Sequence, residues 1–127
     1  MATVREVMSP DPVTIEPSAN LTQAAHAMSV GGVGSVLVLE GGTLVGIFTE
    51  RDILRALATF ATADAARTSS VANGMTPDPV TIGPDASAGE ALNLMLFRGF
   101  RHLPVVEGDT VLGVVSMRDL AKHLAEA

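Results

Sequence analysis

The sequence predicts a mixed α/β (α+β) fold built from two β-α-β-β-α units related by a pseudo-two-fold axis. Three observations predict it. Sliding the chain by 67 residues lays 4–57 on 71–124 without a gap, with identities at 21 of the 54 pairs. Met8-Ser9-Pro10-Asp11-Pro12-Val13-Thr14-Ile15 thus returns as Met75-Thr76-Pro77-Asp78-Pro79-Val80-Thr81-Ile82. One supersecondary unit is used twice, and neither copy is large enough to be comfortable alone. Second, each copy alternates helically spaced apolar residues with continuous apolar runs. Third, each copy closes on Gly, two apolar residues, a hydroxyl residue, two further residues and Asp. These are Gly46-Ile47-Phe48-Thr49-Glu50-Arg51-Asp52 and Gly113-Val114-Val115-Ser116-Met117-Arg118-Asp119.

The elements follow in order. Thr3-x-x-Glu6 is a capping box opening a short helical turn, and Ser70-x-x-Asn73 holds the matching place. The Pro-Asp-Pro segment cannot be helical, because each Pro pushes its predecessor toward extended geometry. Val13-Thr14-Ile15 and Val80-Thr81-Ile82 are then short strands. Asn20-x-x-Gln23 and Ser87-x-x-Glu90 have cap spacing. Behind them Leu21, Ala24, Ala25 and Met28, and Ala88, Ala91, Leu92 and Met95, recur at helical intervals. Gly31-Gly32 and Gly99 close these helices. Val36-Leu37-Val38-Leu39 and Leu103-Pro104-Val105-Val106 read as buried strands. Glu40-Gly41-Gly42-Thr43 and Glu107-Gly108-Asp109-Thr110 have hairpin chemistry, and strands at 44–48 and 111–115 return from them. Each runs into a second helix, carrying Ile53, Leu54 and Leu57 or Leu120, Ala121 and Leu124. Residues 58–69, rich in Ala and Thr, extend the first of these helices before a loop. The organisation expected is a first unit at 1–62, a linker at 63–69 and a second unit at 70–127.

The repeated Gly motif carries the chemistry. Thr49 and Ser116 sit at N-cap positions, with Asp52 and Asp119 at the third helical position, a capping-box spacing with Asp in place of Glu or Gln. The strand delivers a hydroxyl and a carboxylate beside the N–H groups and positive dipole of a helix start. Hydroxyl and carboxylate suit ribose hydroxyls; the helix end and the neighbouring Arg51 or Arg118 suit phosphate. Capping alone also explains the pair, since a lost N-cap costs about 0.5–2 kcal/mol. A Gly inside a strand weakens it, so Gly46 and Gly113 point to close approach of backbone or ligand.

Composition narrows the function classes. The 127 residues make one ordinary domain length, with 47% hydrophobic and 17% charged residues, a globular rather than disordered balance. The net charge is -6 and the eight basic residues are scattered, so no stripe exists to displace counterions from nucleic acid. An acidic surface disfavours anionic lipid, and no apolar run is long enough to span a bilayer. Cys is absent, which excludes disulfides and thiol chemistry. Tyr and Trp are absent too, so no extended aromatic platform for bases exists. No His pair has zinc-ligand spacing, and neither a P-loop nor a Gly-x-Ser-x-Gly turn occurs. No metal or catalytic residue is assigned, and a cytoplasmic protein that is not an enzyme is expected. His26 and His123 read as solvated residues, and Met28 and Met95 as packing.

With these motifs in view, the chain resembles a tandem pair of CBS domains, or Bateman module, over essentially its whole length. The resemblance rests on Met-x-Pro-Asp-Pro-Val-Thr-Ile, on His102-Leu103-Pro104-Val105-Val106 and on the doubled Gly motif. It implies a regulatory sensor that binds an adenine nucleotide or adenosyl compound (AMP, ADP, ATP, S-adenosylmethionine or NAD(H)) in two clefts between the units. It also implies a homodimer and a regulated protein partner. Carried over, Asp52 with Thr49, and Asp119 with Ser116, hold ribose, and Arg51 and Arg118 face phosphate. Ile47 and Val114 lie against adenine. Asp11, Pro12 and Val13, and Asp78, Pro79 and Val80, lend backbone polar groups to its edge from the opposite unit. Gly34-Ser35 and Arg101-His102 line the clefts near the phosphates, with His102 either a phosphate contact or a polar plug. Because Arg101-His102 is basic and Gly34-Ser35 is not, and because Leu37 stands where Pro104 stands in the second copy, the clefts are not equivalent. The rival readings are an interaction scaffold without nucleotide and a small-molecule enzyme.

Overall fold

The computed structural model describes residues 2–126. In chain order its elements are α1 (Val4–Val7), β1 (Ser9–Pro10), β2 (Thr14–Ile15), α2 (Leu21–Gly31), β3 (Ser35–Glu40), β4 (Thr43–Thr49), α3 (Glu50–Thr59) and α4 (Ala63–Thr68). There follow α5 (Val71–Gly74), β5 (Thr76–Pro77), α6 (Ala88–Arg98), β6 (His102–Glu107), β7 (Thr110–Ser116) and α7 (Met117–Glu126).

The compact units are not the sequence repeats. One runs from Val13 to Pro79; the other joins the segment ending at Pro12 to the segment starting at Val80. The unit from Val13 to Pro79 holds a sheet of order β2-β3-β4-β5, in which β2 is parallel to β3 and the remaining pairs are antiparallel. Its core is Leu21, Ala24, Met28, Val36, Val38, Phe48 and Val71. The other unit holds a sheet of order β1-β7-β6, both pairs antiparallel. Its core is Val4, Ala91, Met95, Leu103, Val105, Val115 and Leu120. Each sheet therefore takes its edge strand, and each core one buried Val, from the opening segment of the other repeat: β1 and Val4 here, β5 and Val71 there.

The two glycines of the repeated motif make that exchange physically possible. A Cβ on Gly46 would collide with the Met75 side chain and sit 3.0 Å from the Thr76 carbonyl oxygen. On Gly113 it would collide with the Ser9 carbonyl oxygen and come within 3.0 Å of Met8 Sδ. The close approach read from the sequence is that of an incoming edge strand. Asp11 (φ 53°) and Asp78 (φ 45°) turn the chain out of those strands. Extended geometry was expected before each Pro. Both take the left-handed region instead, which Asp tolerates better than most residues.

Other differences have local causes. Residues 58–69 do not prolong α3. Phe60 is extended, and α4 begins anew where Thr62 Oγ1 accepts the Ala65 N–H at 3.0 Å. Ser70 makes no side-chain cap, unlike the expected match to Thr3. Val80-Thr81-Ile82 is not a full strand but a single parallel bridge, Ile82 to Val105. In the first repeat the Leu37 N–H donates to the Val13 carbonyl at 3.0 Å. The corresponding Pro104 has no N–H to give, so the second ladder is one bond shorter. The other caps form as read. Asn20 and Gln23 bond reciprocally at 2.8 and 2.9 Å, Ser87 Oγ accepts the Glu90 N–H at 3.0 Å, and Gly32 and Gly99 end α2 and α6 in left-handed geometry. No helix among the described residues is long and apolar enough to cross a membrane.

Candidate functional site

Each unit gathers its candidate residues at one end of its sheet, where the last strand becomes a helix. In the unit from Val13 to Pro79, Ser35 at the start of β3 lies opposite Thr49 at the end of β4. The Thr49 N–H donates to Asp52 Oδ2 at 2.8 Å, and Thr49 Oγ1 donates to the same oxygen at 3.2 Å. The Asp52 N–H returns to Thr49 Oγ1 at 3.4 Å. The Glu50 N–H donates to the Gly34 carbonyl at 3.1 Å. Of the four N–H groups a helix start leaves without an intrahelical partner, three are thus answered within the protein, so at most one donor of α3 is left for an anion. Asp52 itself is only 5% exposed, and its Oδ1 accepts from Arg55 Nη1 at 3.3 Å. Ile47, between Leu37 and Thr76 on the two neighbouring strands, is 6% exposed. Val13 borders β3, and the Asp78 N–H donates to the Val45 carbonyl at 3.2 Å. Arg51 is exposed, and Gly34 and Pro79 are half-buried.

In the other unit the same frame carries different side chains. His102, half-buried, lies opposite Ser116. The Ser116 N–H donates to Asp119 Oδ2 at 2.9 Å, and the Asp119 N–H to Ser116 Oγ at 3.0 Å. The Met117 N–H donates to the Arg101 carbonyl at 2.8 Å, which fixes Arg101 beside the start of α7. Asp119 is only partly buried, and Ser9 Oγ donates to its Oδ1 over a long 3.5 Å. That is weak beside an ordinary hydroxyl–oxygen bond of about 2.7–2.8 Å. Val114, between Pro104 and Ser9, is half-buried, and Arg101 and Arg118 are exposed.

The candidates therefore fall into two sets. Thr49, Asp52, Ile47, Arg51, Gly34, Ser35, Val13, Asp78 and Pro79 belong to one unit; Ser116, Asp119, Val114, Arg118, Arg101, His102, Val80, Asp11 and Pro12 belong to the other. The segments expected to come whole from the opposite copy are divided. Asp11 and Pro12 leave β1 beside the second repeat's β7, while Val13 stays beside its own repeat's β3. Two residues escaped the sequence reading. Arg55 is not among the candidates above, although its place three residues after Asp52 on a helix is a pairing signal. Ser9 lies 110 positions from Asp119, and only the chain exchange brings them together. No group of three His, Asp or Glu among the described residues could hold a metal ion.

Comparison with known proteins bears on this geometry. The CBS domain family model matches residues 4–59 and 69–126. The chain is 34% identical over 121 residues to the CBS domain-containing protein YhcV of Bacillus subtilis, covering 95% of this chain and 84% of that protein. The crystal structure of the CBS-domain containing protein ATU1752 from Agrobacterium tumefaciens superposes with a TM-score of 0.89 at 29% identity, over 97% of this chain and 99% of that one. Two more distant structures share the fold. One is CBSX2 in complex with AMP, with a TM-score of 0.85 and 22% identity over 99% and 98% of the two chains. The other is the CBS domain pair of protein MJ0100 in complex with 5′-methylthioadenosine and S-adenosyl-L-methionine, with a TM-score of 0.89 and 23% identity over 99% and 98%. Two matched segments, a duplicated Gly motif and one fold throughout lead to a single conclusion: this chain is a tandem pair of CBS domains and belongs to the CBS-domain family.

Proposed function

We propose that the chain is a regulatory module that binds an adenine nucleotide or adenosyl compound, and that it acts by sensing rather than by catalysis. The observation that carries this reading is the hydroxyl–carboxylate pair set at the end of a central strand in each unit, in a fold whose relatives include complexes with AMP and with S-adenosyl-L-methionine. A carboxylate with a free lone pair accepts from ribose hydroxyls, and the adjacent arginines attract phosphate. The module works as a cytoplasmic homodimer. In each unit the helices present apolar side chains to solvent: Leu96 (66% exposed), Phe97 (88%) and Leu124 (62%) in one, Val30, Leu54 and Leu57 in the other. A ligand that binds one dimer geometry more tightly shifts the population toward it, and a partner protein reads the shift. Calorimetry with AMP, ADP, ATP, S-adenosylmethionine and NADH tests the reading. Saturable binding of at least one is expected, and binding of none rejects it.

The burial of Asp52 favours a second reading, a protein-interaction scaffold whose clefts hold no nucleotide. It requires a stable partner in pull-down experiments whose capture survives both Asp52→Ala and Asp119→Ala.

A further inference from the structure

The two copies of the Gly motif are not equally able to receive a ligand. Asp52 is almost wholly buried, and both its oxygens are engaged, Oδ2 by Thr49 and Oδ1 by the Arg55 guanidinium. Lys122 takes the place of Arg55 in the second repeat. It is exposed and forms no ion pair with Asp119 among the described residues. Asp119 keeps a partly exposed carboxylate whose Oδ1, among the described residues, holds only the long contact from Ser9. The apolar positions differ in the same sense: Ile47 is already covered, whereas Val114 retains surface that a base could cover.

Charge separates the copies further. Helix α3 opens with Glu50, whose carboxylate opposes an incoming anion and already occupies the favourable end of the helix dipole. Helix α7 opens with Met117 in that place. Around α7 stand the exposed Arg101 and Arg118, neither in an ion pair among the described residues; around α3 stand Gly34 and Arg51.

We propose that the chain has one working nucleotide site, at Asp119. There the carboxylate takes the ribose hydroxyls in place of the Ser9 hydroxyl, and Arg101 and Arg118 take the phosphate. Asp52 is a structural residue, latched by Arg55. This proposal rests on the adenosyl-ligand reading above and adds to it the site, its stoichiometry and the need for phosphate.

Calorimetry with AMP and with adenosine, on the full chain, tests it. One AMP per chain is expected. Adenosine should bind at least tenfold more weakly, and Asp119→Asn should weaken AMP about tenfold to a hundredfold, the loss of a hydrogen bond to a charged group. Amide chemical-shift mapping of the wild type with AMP needs no substitution. It should move the amides of Ser9, Ser116 and Asp119 and leave those of Thr49 and Asp52 in place. Two AMP per chain, shifts centred on Thr49 and Asp52, loss of binding in Asp52→Asn with retention in Asp119→Asn, or equal affinity for adenosine each overturns the proposal while leaving the adenosyl reading intact. Failure of AMP, ADP, ATP, S-adenosylmethionine and NADH alike to bind the wild type removes that reading and the single-site proposal with it.

Discussion

Thr49 and Ser116 illustrate how one residue serves two purposes. Each hydroxyl accepts an N–H at the third helical position, and each backbone N–H donates to the Asp there. Removing the hydroxyl costs a cap whether or not a ligand binds, so Thr49→Ala is expected to lower stability by about 0.5–2 kcal/mol in urea unfolding. Gly46 and Gly113 should differ from each other under the same measurement. An added methyl at Gly113 meets the Ser9 backbone, which cannot step aside, whereas at Gly46 the nearest atoms belong to the flexible Met75 side chain. Gly113→Ala is therefore expected to cost about 1–3 kcal/mol, and Gly46→Ala less. Glu6 offers a pH test. The backbone N–H and the hydroxyl of Thr3 hold its carboxyl below its ordinary value of 4.5. A depressed carboxyl contributes its stability above its unfolded value and loses it as the pH falls through the lower folded value. Thermal melts between pH 5 and pH 3 should fall less steeply for Glu6→Gln than for the parent chain.

Among the elements, the strand after each Pro-Asp-Pro segment shows what one donor decides. Leu37 extends the first ladder and Pro104 shortens the second. In Pro104→Leu the new N–H can reach the Val80 carbonyl, for a net gain of about 0.5–1.5 kcal/mol. Against that stands the roughly 0.4–1 kcal/mol by which a compatible proline restrains the unfolded chain. The two nearly cancel, so the expected outcome is a protected amide at position 104 in hydrogen exchange, with little change in melting temperature. The break between α3 and α4 has a similarly local origin. Thr59 Oγ1 turns back on the Arg55 carbonyl at 2.7 Å, and Thr62 offers a new cap. Ser, Thr and Asp compete with the helix for their own backbone. A stretch rich in Ala and Thr therefore reads as one helix by propensity and folds as two.

For the whole molecule the governing feature is the exchange of opening segments. Val4 packs in the core completed by Met95 and Leu103, and Val71 in the core completed by Phe48 and Met28. Neither repeat by itself contains a finished unit, so expressing residues 70–127 alone is expected to yield an unfolded or aggregating chain by circular dichroism and sedimentation. The exposed helix faces bear on assembly. Phe97, at 88% exposed, is a large apolar side chain at the surface, and for the homodimer proposed above Phe97→Asp is expected to leave the 13.1 kDa chain monomeric in sedimentation equilibrium.

Much of this was legible from the residues alone. The repeat, the strand and helix types, the cap positions and the Gly motif are local patterns, and local backbone chemistry enforces them: a cap hydroxyl bonds within three residues of itself, and an apolar run needs only a sheet to bury it. What the tertiary structure decided involves partners far apart in sequence or differences of a single donor. The exchange of β1 and β5, the contact of Ser9 with Asp119 and the unequal burial of Asp52 and Asp119 depend on which segment reaches which sheet. No periodicity records that choice, because both copies carry nearly the same pattern and each could have kept its own opening strand.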